Sequence, residues 1–225
     1  MFPPFMGFPK EGLAFLRSLK KNNNREWFAA HKPEYEEYLK VPMQSLITEL
    51  RAPMSEVAPE VVVDPKRNIF RIYRDTRFSK NKAPYKTHVA AFFPAPGHWE
   101  ESAGLYVHIE PGEIILGGGL YMPDGQQLKR IRGAIAGQPE EFLLIVKGRQ
   151  FRKRFTALKG AKLMRRPLGF PEDHPMIEWL KYKQFFASCS WNEAECHTPR
   201  FVPKVAALFG DLMPLIRFLN GAMGK

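Results

Sequence analysis

The chain has 225 residues, with 34 Lys and Arg against 23 Asp and Glu, for a formal net charge of +11. A hydrophobic fraction of 44% with 25% charged residues belongs to a globular protein and excludes a disordered or collagen-like chain. No apolar run approaches the roughly 18 residues that span a bilayer, the opening MFPPFMGFPKEG lacks the order of a secretory signal, and two cysteines make no disulfide framework, so a reducing, cytoplasmic setting is expected.

Residues 9–21 predict an amphipathic helix, with Leu13, Leu16 and Leu19 near one face. Asn22, Asn23 and Asn24 end it and offer caps for a second helix that opens with Arg25-Glu26-Trp27-Phe28. Pro33 is expected to restart that helix and Pro42 to kink or divide it, since an interior proline removes a backbone bond. Residues 54–65 read as a connector. From Asn68 the pattern alternates, predicting a strand with Phe70 and Ile72 on one side and Ile69, Arg71 and Tyr73 on the other.

Three further strands are predicted over 88–93, 104–109 and 113–121, the last two joined by a Pro111-Gly112 turn and therefore antiparallel. Asp124 with Gln127 forms a capping-box pattern before Leu128, Ile131 and Ile135. A helix from Pro139, a basic stretch over 149–166, a helix over 175–183, a strand over 184–191 and a closing helix over 203–219 complete the chain. This order predicts an α+β fold, a mainly antiparallel sheet flanked by helices with an N-terminal helical segment and a C-terminal helix. A single domain over 1–225 is expected, with a helical subregion at 9–58.

The positive charge is local. Residues 64–88 hold eight basic side chains against Asp64 and Asp75, and residues 147–171 hold nine with no acid. Such density concentrates anionic partners, although a basic run is also an ordinary solvated face. In the first segment, residues 74–86 follow a strand and interleave Arg74, Arg77, Lys80, Lys82 and Lys86 with Phe78 and Tyr85. Arginine forks match phosphate and carboxylate oxygens, and lysines add point charges. The competing reading is an ion-paired surface turn in which Asp75 neutralises Arg74 or Arg77. Alternation places Arg71 with Tyr73, and Tyr106 with His108, each pair on one strand face.

The candidate ligand-binding residues are therefore Arg71, Tyr73, Arg74, Arg77, Lys82, Tyr85, Lys86, Tyr106 and His108, with Asp75 and His108 as candidate acid–base groups. Gly117-Gly118-Gly119 lacks the context of a phosphate loop and reads as a bulge or a close backbone approach. Cys189 and Cys196, seven apart, are too widely spaced for a usual zinc pair and read as buried or partly buried thiols; no metal site is expected, and no cofactor is assigned. Trp27, Trp99, Trp179 and Trp191 read as core anchors.

Several stretches resemble the bacterial and fungal family catalogued as domain of unknown function 2461. They are Asn22-Asn23-Asn24-Arg25-Glu26-Trp27-Phe28, residues 71–79, residues 82–87, residues 104–109, Gly117-Gly118-Gly119-Leu120-Tyr121 and residues 165–170. The resemblance covers nearly the whole chain in order. It implies no agreed activity, and its motifs coincide with the basic segments.

Three functions follow as expectations. The first is a pocket for a small phosphate- or carboxylate-bearing ligand built from residues 71–86, with or without catalysis. The second is nucleic-acid binding through 64–88 and 147–171. The third is a non-catalytic module docking acidic partners. Ligand identity and oligomeric state are not encoded in any motif.

Overall fold

Leu13, Leu16 and Leu19 are buried on one side of helix α1, Lys10–Lys21, as their spacing requires. The computed structural model describes residues 2–97 and 101–225; Trp99 lies outside them. Asn24 caps α2, Arg25–Tyr35, by accepting the Trp27 N–H at 2.9 Å. The helix does not restart at Pro33 but runs through it, with Phe28 and Tyr35 buried on either side to hold it closed. The winding changes later, in a π-helical turn over Glu36–Lys40, where Val41 N–H bonds the Glu36 carbonyl five residues back. Pro42 opens α3, Val41–Val57, directly after the π-helical turn, and the backbone at Lys40 and Val41 is still helical. The segment is therefore not divided but runs helical from residue 25 to 57 with a local change of winding beside Pro42, and α3 extends into the expected connector.

The sheet has four strands among the described residues: β1 Val89–Pro94, β2 Gly104–Glu110, β3 Glu113–Leu120 and β4 Phe185–Trp191. They run in the order β1-β2-β3-β4, every pair antiparallel. Glu110 and Glu113 pair across the two-residue turn, where Pro111 fixes one φ and Gly112 takes φ +92°. The expected strand from Asn68 is not regular. Only isolated bridges form, Ile69 with Ala91 and Tyr73 with Tyr85, and the chain bends at Ile72 between them. Ile72 turns inward and is buried while Arg71 and Tyr73 are exposed, so the alternation survives without a ladder.

Between β3 and β4 come α4 Gly125–Gly137, α5 Pro139–Lys147, α6 Arg149–Phe155 and a single turn α7, Ile177–Leu180, shorter than expected. Asp124 and Gln127 form the capping box of α4. The closing helix α8, Phe201–Met223, packs on β2 and β3 and is flanked by α3, α4, α5 and α6. Pro214 is accommodated inside it, and Val205, Leu208, Phe209, Leu212 and Ile216 are buried as their spacing predicts. Leu105, Val107, Ile109, Ile114 and Leu116 form the sheet face toward this core. No described helix is long and apolar enough to cross a membrane.

Asn220 of α8 joins helix to sheet. Its side chain accepts the Ala103 N–H at 2.8 Å and donates to the carbonyls of Ala95 and Ala103, fully buried where β1 and β2 pair. A hydrogen-bonded amide at that depth fixes the helix against one register of the strands.

Candidate functional site

The loop over 74–86 is held from below by the asparagine run. The Asn23 side chain donates to the Tyr85 carbonyl and accepts the Tyr85 N–H, both at 3.0 Å, as a neighbouring strand would. Phe28 stacks on Tyr85 with ring centroids 4.1 Å apart, and Tyr73 lies 5.4 Å from Tyr85. Residues of two separate family-like motifs therefore meet, which explains them as a folding element.

The loop's cations are taken up largely by its own acceptors. Arg77 pairs with Asp75 at 2.7 Å, and the guanidinium pulls that carboxyl down to about 2. So acidic a carboxylate is a weak proton acceptor at neutral pH. Arg74 donates to the Ala83 carbonyl, Lys82 to the Thr76 carbonyl, and Lys86 to the Arg71 carbonyl. Phe78 is 95% exposed, with the Arg77 guanidinium 5.7 Å from its ring centroid. Of the expected residues, Arg74, Arg77, Lys82, Tyr85 and Lys86 are not among those lining the cleft described next.

That cleft, of about 340 Å³, lies between the helical N-terminal region and residues 65–73. Two of the expected residues line it, Arg71 and Tyr73. Sequence reasoning missed the others: Lys32 from α2, Lys40 from the π-helical turn, and Lys66 from the segment before the bend. Among the described residues Glu36 is its one lining carboxylate, 3.6 Å from Lys40. Among the described residues, no salt bridge holds Lys32, Lys66 or Arg71. Phe28, Tyr35 and Tyr73 supply aromatic wall, and burial with the nearby Glu36 pushes the Tyr35 hydroxyl up to about 12, so it remains a neutral donor. π-helical turns recur at functional sites because the extra residue re-aims side chains.

Tyr106 and His108 lie elsewhere, on the sheet face turned away from α8. Tyr106 Oη is 2.9 Å from His108 Nδ1, and Phe70 approaches the Tyr106 ring at 6.3 Å. His88, just before β1, stacks on His108 with centroids 4.0 Å apart, and Glu110 Oε1 lies 3.6 Å from His108 Nε2. Burial drives both imidazoles down to about 4, so they are neutral at physiological pH. Lys86 Nζ sits 5.0 Å over the Phe70 ring, and burial together with Arg71 lowers its pKa. Phe70 both lines the cleft and approaches the Tyr106 ring, and Tyr106 and His108 are not among the residues lining that cleft.

Cys189 and Cys196 are unpaired thiols, and burial pushes Cys196 up to about 12, which makes it inert. Trp27, Trp179 and Trp191 are partly buried against the core. Gly117 and Gly119 permit close backbone approach, as their lack of a phosphate-loop context implied: a Cβ on Gly117 would lie 2.6 Å from the Ala187 carbonyl oxygen.

An antiparallel four-stranded sheet backed by a buried C-terminal helix, with a cationic cleft beside its N-terminal helices, defines an α+β protein class. The chain belongs to the family described as conserved hypothetical protein (DUF2461), which matches residues 11–218. No curated protein and no solved structure matches it.

Proposed function

We propose that the protein binds a small phosphate- or carboxylate-bearing ligand in the cleft between the π-helical turn and residues 65–73. The carrying observation is charge imbalance: Lys32, Lys40, Lys66 and Arg71 line the cleft against Glu36 alone. Like charges held together without counterions repel, and a bound anion relieves that repulsion. The Arg71 fork offers bidentate geometry, the lysines add point charges, and Tyr73, 51% exposed, offers a ring edge to a planar group.

Nucleic-acid binding draws on α6, where Arg149, Arg152 and Lys153 are exposed. The rest of that basic segment is partly neutralised, Arg154 by Asp211 and Lys162 by Glu178. That pairing favours the small anion.

The test is thermal stabilisation by inorganic phosphate, phosphorylated metabolites and dicarboxylates. Wild type is expected to gain melting temperature with at least one of these compounds. Lys66→Glu combined with Arg71→Glu, both exposed and outside the core, is expected to abolish the gain while leaving the unliganded melting temperature nearly unchanged. Absence of any shift in wild type, or an equal shift in the double variant, contradicts the reading.

A further inference from the structure

We infer that His88, His108 and Glu110 form a binding site for a divalent transition metal of the zinc class, on the sheet face away from α8. This site is separate from the anion cleft and does not rest on that reading.

Strand register assembles the three ligands. Val89 pairs with Ile109, so the next position outward sets His88 opposite Glu110 and diagonal to His108, all on one face. One ligand atom from each lies within 4.8 Å of the others. Tetrahedral zinc with bonds of roughly 2.0–2.1 Å draws its ligand atoms to about 3.4 Å apart. His108 Nε2 and Glu110 Oε1, at 3.6 Å, are already near that separation. His88, whose ring stacks on His108, supplies the third corner.

The second observation concerns His108 itself. The residue is 8% exposed, and its Nε2 is buried without any hydrogen-bond partner. A buried, unpaired ring nitrogen is costly, and native proteins rarely leave one without a reason. Its other nitrogen is committed: Nδ1 faces Tyr106 Oη at 2.9 Å. In the tautomer that carries its proton on Nδ1, that nitrogen donates to the Tyr106 oxygen and Nε2 presents its lone pair to the ion, the arrangement in which metal-binding imidazoles are held. Tyr106 is therefore a positioning residue for the Nε2 lone pair. Two imidazoles and one carboxylate suit zinc, iron(II) or cobalt(II) and disfavour magnesium and calcium, which take oxygen ligands. Three protein ligands leave a coordination position for water or an anionic group.

The experiment uses the untagged full chain, stripped with EDTA and dialysed. Zinc chloride is titrated by calorimetry, and cobalt(II) chloride is followed by visible absorption. Wild type is expected to bind one equivalent of zinc and to show the intense bands of tetrahedral cobalt. His88→Ala and Glu110→Gln, at partly exposed positions, are each expected to weaken zinc binding by roughly tenfold or more and to remove the cobalt bands, with far-ultraviolet circular dichroism unchanged. His31→Ala, at the ring stacked on Trp27, is expected to bind as wild type does. Absence of zinc binding in wild type, equal affinity in both ligand variants, or magnesium binding as tight as zinc overturns the inference.

Discussion

Gly119→Ala is expected to destabilise the protein by roughly 3–5 kcal/mol, the range that marks a buried backbone clash with strain at a special φ. Gly119 sits at φ +137°, where an L side chain is strained whatever the space around it. The added Cβ would also lie 2.2 Å from the Phe185 carbonyl oxygen and 2.5 Å from Phe186 Cα, both backbone atoms that cannot rotate away. Relief requires β3 and β4 to separate at Gly119–Phe186, next to the buried Leu120–Phe185 pair. The same chemical change at Gly133, inside α4 with nothing near its Cβ position, should stabilise by about 0.5–1 kcal/mol, because alanine favours helix. Urea unfolding of the two variants checks both signs. Equal midpoints would show that the sheet yields at Gly119.

Acidification from pH 6.5 to 4.5 is expected to destabilise the metal-free protein, beginning before its carboxylates titrate. His88 and His108 are held at about 4 in the fold against 6.5 in the unfolded chain, chiefly by burial. Lys86 adds to the effect at His88, while Glu110 opposes it there and Glu113 opposes it at His108. A lowered folded value means that the unfolded chain takes up protons first as pH falls. The imidazole contribution is therefore complete above about pH 6.5 and is lost as pH falls through 4. Both rings keep some solvent contact, so the pair contributes on the order of 2–4 kcal/mol after screening.

Glu60, Asp75, Glu178 and Glu193 also sit below their ordinary values, each through a hydrogen bond, most of them from a cation. Their losses begin as pH drops toward the ordinary carboxylate range and overlap the lower end of the imidazole window, so its upper end reports the imidazoles. Denaturation midpoints measured with EDTA across pH 4–8 test this. His88→Gln combined with His108→Gln should flatten the slope between pH 6.5 and 4.5, and an unchanged slope contradicts the assignment.

Much of the fold was legible because its signals are local. Asp124 with Gln127, Asn24 before Trp27, and Pro111 with Gly112 each act within four residues, and the structure places a capping box, an N-cap and a tight turn there. The glycine run was readable as a close approach, since no other residue tolerates strands so near. The Asn68 strand misled because alternation reports burial and not pairing: Ile72 is buried, but the bend there prevents a ladder.

Less of the site could be read. Arg71 and Tyr73 were found through charge density and alternation, whereas Lys32 and Lys40 reach the same cleft from helices whose basic residues look like ordinary solvated faces. The π-helical turn that carries Lys40 has no sequence signature apart from the nearby proline. His108 was recognised and His88 was not, although both strands were. Extending the β1–β2 register one residue beyond Val89 would have set His88 beside Glu110. For Arg77 the sequence left two readings open, ligand group or ion-paired turn, and the structure pairs it with Asp75 two residues away, as the second reading expected.

The central claim, that the cleft lined by Lys66 and Arg71 is an anion site, is tested most directly by a crystal structure of the wild-type chain grown in phosphate. Ordered phosphate within hydrogen-bond reach of the Arg71 guanidinium and the Lys66 ammonium is the predicted result. Phosphate seated only at other cations, or a cleft holding water alone at saturating phosphate, would contradict it.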